Sequence, residues 1–163
     1  MTVDLSKTAG GSKGSAKPLS PAEVSGWLAR SPFIAFLGLE LHEMDPAAGT
    51  LTLRMALKPE FERSAGSTGR WHGGVVSAMI DTAGDVALIM LHGAAPPTIN
   101  VRVDYLRPIV GEALTARATI RKSGRSIAFV DIDVFGPDGA LVAIGRANYA
   151  MNGLPRPATE MAT

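Results

Sequence analysis

A chain of 163 residues, 46% hydrophobic and 19% charged, can bury one sizeable core and is too apolar for a disordered polymer. Its 16 Lys and Arg face 15 Asp and Glu, a formal charge of +1, so it lacks the clustered positive charge from which nucleic-acid binders draw their affinity. It has no cysteine, which excludes a disulfide scaffold, a thiolate metal site and a cysteine nucleophile, and agrees with a cytoplasmic setting.

Residues 1–19 hold Lys7, Lys13 and Lys17 among Gly, Ser, Ala and Thr. They have neither the apolar block of a secretory signal nor the arginines of a transit peptide, and read as a flexible tail. No stretch reaches the ~18 consecutive apolar residues of a membrane span. One domain is expected over 20–152, followed by a second flexible tail over 153–163. It opens at Ser20-Pro21-Ala22-Glu23, where serine caps, proline fits the first helical position and glutamate completes a capping box. Val24, Trp27 and Leu28 then recur at helical spacing to about Arg30, with a broken turn to Leu37 and a stop at Gly38.

Two strands follow, one with Leu39, Leu41 and Met44, the next with Leu51, Leu53, Met55 and Leu57 alternating with Thr50, Thr52, Arg54 and Ala56. Pro59 to Arg70 has no periodicity and reads as a loop. From Gly73 to about Leu91 the chain is apolar enough for a buried helix of about five turns. Val75, Val76, Met79, Ile80, Ala83, Val86, Ala87 and Met90 make its broad apolar surface. Gly74, Ser77, Ala78, Asp81, Gly84 and Asp85 make a narrower stripe that is small or acidic.

Four strand-like runs complete the domain: Ile99 to Leu106, Leu114 to Arg121, Ala128 to Phe135, and about Leu141 to Met151. Gly136-Pro137-Asp138-Gly139 is a hairpin turn. A single helix this apolar needs cover on most sides, and one strongly curved antiparallel sheet can supply it. The acidic stripe is what such a sheet leaves uncovered, facing water, a ligand or a second subunit.

Chemistry concentrates at this helix. His72 precedes Gly73 and Gly74, whose backbone allows close approach of a ligand and whose unpaired amides suit an oxyanion or a polarised carbonyl; a plain loop-to-helix turn is the competing reading. Asp81, nine residues after His72, is an expensive carboxylate to place mid-helix unless it meets solvent, a partner or a task. Asp85 lies one turn further on, so the two form either an acid/base pair or a solvated edge. The spacing of His72, Asp81 and Asp85 matches no strong metal motif, and no metal is expected. No Gly-x-Ser-x-Gly elbow accompanies the serines. His42 and His92 read as surface or capping residues, and Arg121, Lys122 and Arg125 as a positive patch at a hairpin tip.

The run Trp71-His72-Gly73-Gly74 through Asp81-Thr82-Ala83-Gly84 resembles the His-Gly-Gly…Asp signature of the phenylacetate-degradation (PaaI) type of hotdog thioesterases. Val103-Asp104-Tyr105-Leu106-Arg107-Pro108, Arg121 to Ser126 and Asp138 to Gly145 follow in that family's order, so the resemblance spans roughly Phe33 to Met151. It implies an α+β hotdog fold, a curved antiparallel sheet wrapped around one long central helix. It also implies self-association as a homodimer or homotetramer, with active sites at the dimer interface.

By this resemblance the chain hydrolyses acyl-CoA thioesters without a cofactor, coenzyme A being part of the substrate. Asp81 is the nucleophile or general base, and the Gly73 amide of the other subunit polarises the thioester carbonyl. His72 positions substrate or water, and Thr98 falls where relatives place a water-orienting hydroxyl. Gly74 and Ser67 are expected against substrate, and Arg121, Lys122 and Arg125 near the coenzyme A phosphates. Relatives carry Asn six residues before the histidine, where this chain has Gly66; Ser64, Ser67 or Thr68 are the polar neighbours that can substitute. A non-catalytic acyl-CoA-binding or regulatory module, and a hotdog enoyl-CoA hydratase or dehydratase, are the competing functions. Trp71, Phe33, Phe36 and Phe61 belong either to an acyl tunnel or to plain core.

Overall fold

The computed structural model describes residues 17–66 and 69–155. Helix α1 (Pro21–Arg30) starts on the expected capping box: the Glu23 amide donates to Ser20 Oγ and the Glu23 carboxylate accepts from the Ser20 amide at 2.7 Å. A short helix α2 (Pro32–Leu37) follows, capped by Ser31 and closed at Gly38 with φ of 68°, a left-handed conformation that glycine adopts without steric cost. Val24, Leu28 and Leu37 anchor this pair in the core.

The strands are β1 (Leu39–Asp45), β2 (Thr50–Ala56), β3 (Thr98–Tyr105), β4 (Ala113–Ser123), β5 (Ile127–Phe135) and β6 (Leu141–Ala150), with the long helix α3 (Gly73–His92) between β2 and β3. They form one sheet in the order β1-β2-β4-β5-β6-β3, every neighbouring pair antiparallel. This is the hotdog arrangement. Period-two alternation turns Leu51, Leu53 and Met55, then Leu114, Ala116, Ala118 and Ile120, then Ala128, Val130, Ile132 and Val134 onto the face that holds α3, and all are buried. On α3, Val76, Met79, Ile80, Ala83, Val86, Ala87 and Met90 are buried against them.

Among the described residues α3 is the one helix long and apolar enough to cross a membrane, but 67% of its most apolar window is buried inside the chain's own core. Among its described residues, the loop expected over Pro59 to Arg70 contains one 3-10 turn, Pro59–Phe61, whose Phe61 is core. Phe61 and Trp71 pack on one another with ring centroids 6.3 Å apart, while Phe33 and Phe36 lie exposed on α2.

The two ends of the apolar side of β3 stay exposed, Ile99 at 55% and Tyr105 at 49%, while Val101 and Val103 between them pack against the core; β3 is a sheet edge with β6 on one side only. Two expectations need correction. Gly84 does not belong to the open stripe of α3. It is buried, and a Cβ there would come within 2.3 Å of the Tyr149 hydroxyl. His92 is neither a surface nor a plain capping residue. Only 4% exposed, it places Nε2 at 2.9 Å from Ser123 Oγ and Nδ1 at 2.7 Å from the Pro155 carbonyl, tying the end of α3 to the end of β4 and to the last described residue.

Candidate active site

Helix α3 begins with His72 in extended conformation at the N-cap. The ring caps its own helix, with Nδ1 accepting from the Gly74 amide at 3.0 Å. A ring nitrogen that accepts carries no proton, so neutral His72 keeps its proton on Nε2 and offers a donor there rather than a base. The Val75 and Val76 amides turn back to the His72 carbonyl at 3.1 and 3.4 Å. Of the four amides that open the helix, the Gly73 amide is therefore the one left without an acceptor among the described residues.

The Gly73 carbonyl is held as well. Tyr105, at the end of β3, donates its hydroxyl to Gly73 O at 2.6 Å and lies 2.6 Å from Ser77 Oγ. Its single proton is used on Gly73, so Ser77 is the donor to Tyr105. A Cβ at position 73 would sit 3.2 Å from that hydroxyl, so glycine lets the two approach without displacement. The Gly73–Gly74 peptide plane is thus gripped on its N–H side by His72 and on its C=O side by Tyr105.

Asp81 lies eight residues along, on the open face of α3, half-buried. Its Oδ1 accepts from Thr98 Oγ1 at 3.0 Å. Thr98 opens β3, and the register of β3 against β6 shifts between Thr98 and Asn100. The Asp81 backbone carbonyl accepts from the Tyr149 hydroxyl at 2.8 Å, across the space that Gly84 leaves. Burial, with the Asp81 and Asp85 charges behind it, pushes the Tyr149 hydroxyl well above its ordinary range and keeps it a donor.

Asp85, one turn beyond Asp81, has its pKa pushed up to about 7, first by burial and then by the Asp81 charge. Its Oδ1 is buried without a hydrogen-bond partner. No group of three potential metal ligands occurs among the described residues.

The other expected site residues lie apart. Gly66 has φ of 72° and open space where a side chain would stand, so no polar group comes from that position; Ser67 and Thr68 lie outside the described residues. Arg121 is engaged on the outer sheet face, its Nε donating to Asp131 at 2.8 Å while Arg146 takes the other oxygen at 2.5 Å. The Arg146 hydrogen bond, with Arg121 behind it, holds the Asp131 carboxyl below its ordinary range. Lys122 and Arg125 are exposed at the β4–β5 tip. That tip is tied through Ser123 to His92, so within one chain it sits at the far end of α3 from Gly73, about 28 Å along the helix. Tyr105, Ser77 and Tyr149 escaped the reading from sequence. The two tyrosines match the apolar phase of a strand and Ser77 matches a small-residue stripe; only the crossing of α3 by β3 and β6 brings their hydroxyls to the helix backbone.

Comparison with known proteins gives the chain a family. A family model described as the thioesterase superfamily matches residues 68–143. A protein from Halobacterium salinarum named "Putative esterase" is 30% identical over 129 residues, covering 71% of this chain and 82% of its own length. The medium/long-chain acyl-CoA thioesterase YigI of Salmonella typhimurium is 27% identical over 138 residues, covering 72% of this chain and 84% of its own. A mutant of the phenylacetic acid degradation protein PaaI from Thermus thermophilus superposes with a TM-score of 0.63 at 25% identity, over 74% of this chain and 98% of that one. The chain belongs to the thioesterase superfamily, in its PaaI-type hotdog branch, and is by class a thioester hydrolase.

Proposed function

We propose that the chain hydrolyses acyl-CoA thioesters to the free acid and coenzyme A, at a site completed by a second copy of itself. The observation that carries this reading is the Asp81 carboxylate, held by the Thr98 hydroxyl on the open face of an otherwise buried helix. Asp81 serves as nucleophile or as general base toward water, and Thr98 fixes its orientation. The free Gly73 amide is the donor for the oxygen that becomes negative in the transition state. Gly74, whose amide His72 already occupies, contributes close backbone approach instead, and the Nε2–H of His72 adds a second donor.

Asp81 and the Gly73 amide of one chain lie eight residues apart on one helix, about 12 Å, too far to act on one carbonyl. The two must come from different chains. The unpaired β3 edge, with Ile99 and Tyr105 exposed along it, suits pairing with a second β3 in a homodimer. The coenzyme A phosphates are then assigned to Lys122 and Arg125, with Arg121 set back by its pairing with Asp131, and Ser67 remains a candidate substrate contact. The acyl-CoA thioesterase YigI among the relatives supports the substrate class.

The test is free-thiol release from short, medium, long and aromatic acyl-CoAs by wild type and Asp81→Asn. Turnover by wild type with a loss of about 100-fold or more in the variant is expected; undiminished turnover by the variant sinks the assignment. The bare Gly66 position favours one second reading, an acyl-CoA-binding module, whose mark is tight binding with no thiol release.

A further inference from the structure

Strand β3 carries a hydroxyl at each end, and both reach α3. Thr98 at its start donates to Asp81 Oδ1 at 3.0 Å, and Tyr105 at its end donates to the Gly73 carbonyl at 2.6 Å. Positions 98 and 105 are an odd number of residues apart, so in a regular strand their side chains would face opposite ways. The register of β3 against β6 removes the conflict: Thr98 pairs with Tyr149 and Asn100 with Asn148, leaving Ile99 as an extra residue. This bulge puts Thr98 in phase with Val101, Val103 and Tyr105 on the face that holds α3. One edge strand thereby grips the helix at both of the groups that the hydrolytic reading uses.

The grip at Gly73 answers a local weakness. Helix α3 opens on two consecutive glycines, which lose more conformational freedom on ordering than any other residue, in a turn whose amides have no acceptor within the helix. Such a turn frays unless it is held, and an amide that frays does not keep its aim. Both peptide groups that meet at the Gly73 Cα are held. The His72 carbonyl accepts from the Val75 and Val76 amides, the Gly74 amide donates to His72 Nδ1, and the Gly73 carbonyl accepts from Tyr105. The bonds to His72 lie within the turn and move with it, whereas the bond from Tyr105 ties the turn to the sheet. Ser77 Oγ, 2.6 Å from the Tyr105 hydroxyl, donates to it and so directs the tyrosine proton at Gly73.

We propose that Tyr105 is a positioning residue for thioester hydrolysis: its hydroxyl, aligned by Ser77, fixes the first turn of α3 to the sheet so that the free Gly73 amide is already aimed where the oxyanion forms. The inference rests on the hydrolytic reading for the task of that amide and goes beyond it in naming what aims it. A donor set in place beforehand acts on charge that develops only in the transition state. Losing its alignment therefore lowers kcat and leaves KM nearly unchanged.

Tyr105→Phe keeps the ring and removes the donor, and the Gly73 carbonyl keeps its place in the helix ladder, so the variant is expected to melt near wild type. Its kcat for thiol release from acetyl-, octanoyl-, palmitoyl- or benzoyl-CoA should fall about tenfold, less than the ~100-fold or more that loss of an oxyanion donor costs, with KM within about twofold. Ser77→Ala leaves the tyrosine hydroxyl but not its alignment and should lose about threefold, again in kcat. Amide relaxation by NMR gives a readout that needs no turnover: the Gly73 and Gly74 order parameters should drop from the rigid range of about 0.85 toward about 0.6 in Tyr105→Phe. Undiminished kcat in Tyr105→Phe, a loss confined to KM, or unchanged order parameters overturns the proposal. The hydrolytic reading fails separately, by no thiol release from the wild type with any of these thioesters, and amide relaxation then still decides whether Tyr105 holds the start of α3.

Discussion

At the scale of single residues the site depends on groups whose hydrogen-bonding capacity is already committed. Thr98 has one proton to give and gives it to Asp81 Oδ1. Thr98→Val keeps the shape and removes the donor, so kcat should fall about tenfold while Thr98→Ser stays near wild type, measured by thiol release under saturating substrate. Asp85 yields a stability prediction with a definite sign. Its carboxyl is raised from 3.8 to about 7 in the folded chain, so between about pH 4 and 7 the native state holds a proton that the unfolded state has released. Stability from this group is therefore full below about pH 4, falls as pH rises to about 7, and is flat above. Asp85→Asn cannot titrate; it should melt higher than wild type at pH 8, by at most about 4 kcal/mol in stability, with the difference shrinking toward pH 4. Melting curves whose difference ignores pH would show that the carboxyl is not held this way.

At the scale of elements, two helical glycines that look alike in sequence behave oppositely. Gly26 in α1 has nothing within 4 Å of where a Cβ would stand, and Gly84 in α3 has the Tyr149 hydroxyl at 2.3 Å. Gly26→Ala should stabilise by about 0.5–1 kcal/mol through helix propensity. Gly84→Ala should destabilise by about 1–3 kcal/mol through overpacking, and should disturb the hydrogen bond from Tyr149 to the Asp81 carbonyl as well. Thermal unfolding of the two variants side by side checks both signs. The elements themselves were legible because each rests on local chemistry: the Ser20–Glu23 capping box, the alternation of Leu51, Leu53 and Met55, and the long apolar run after Gly73. Helix glycines were not, because what crowds Gly84 is a side chain from β6, distant in sequence.

At the scale of the whole molecule, the 12 Å between Asp81 and its own Gly73 makes a sharp demand. Gly73→Pro removes the one free amide at the first helical position, where proline is tolerated, and His72 before it has the extended ψ of 130° that a following proline requires. Tyr105 must give by a few tenths of an ångström to admit the ring. Gly73→Pro and Asp81→Asn should each be nearly inactive alone. Mixed and reassociated, they should recover about a quarter of wild-type turnover, since half the dimers are hybrids and each hybrid holds one site with both groups intact. No recovery on mixing, with hybrid dimers shown to form, would place the whole site within one chain.

The sequence by itself determined the hotdog element order and the buried helix, because helix caps and strand alternation are properties of neighbouring residues. It did not contain the tyrosine hydroxyls at Gly73 and Asp81, the burial of His92, the pairing of Arg121 with Asp131 or the unpartnered oxygen of Asp85. Each of those depends on which distant segment crosses α3 or lies beside it in the sheet. Hydrogen bonding and desolvation act over a few ångströms in space, so only the tertiary structure decides them.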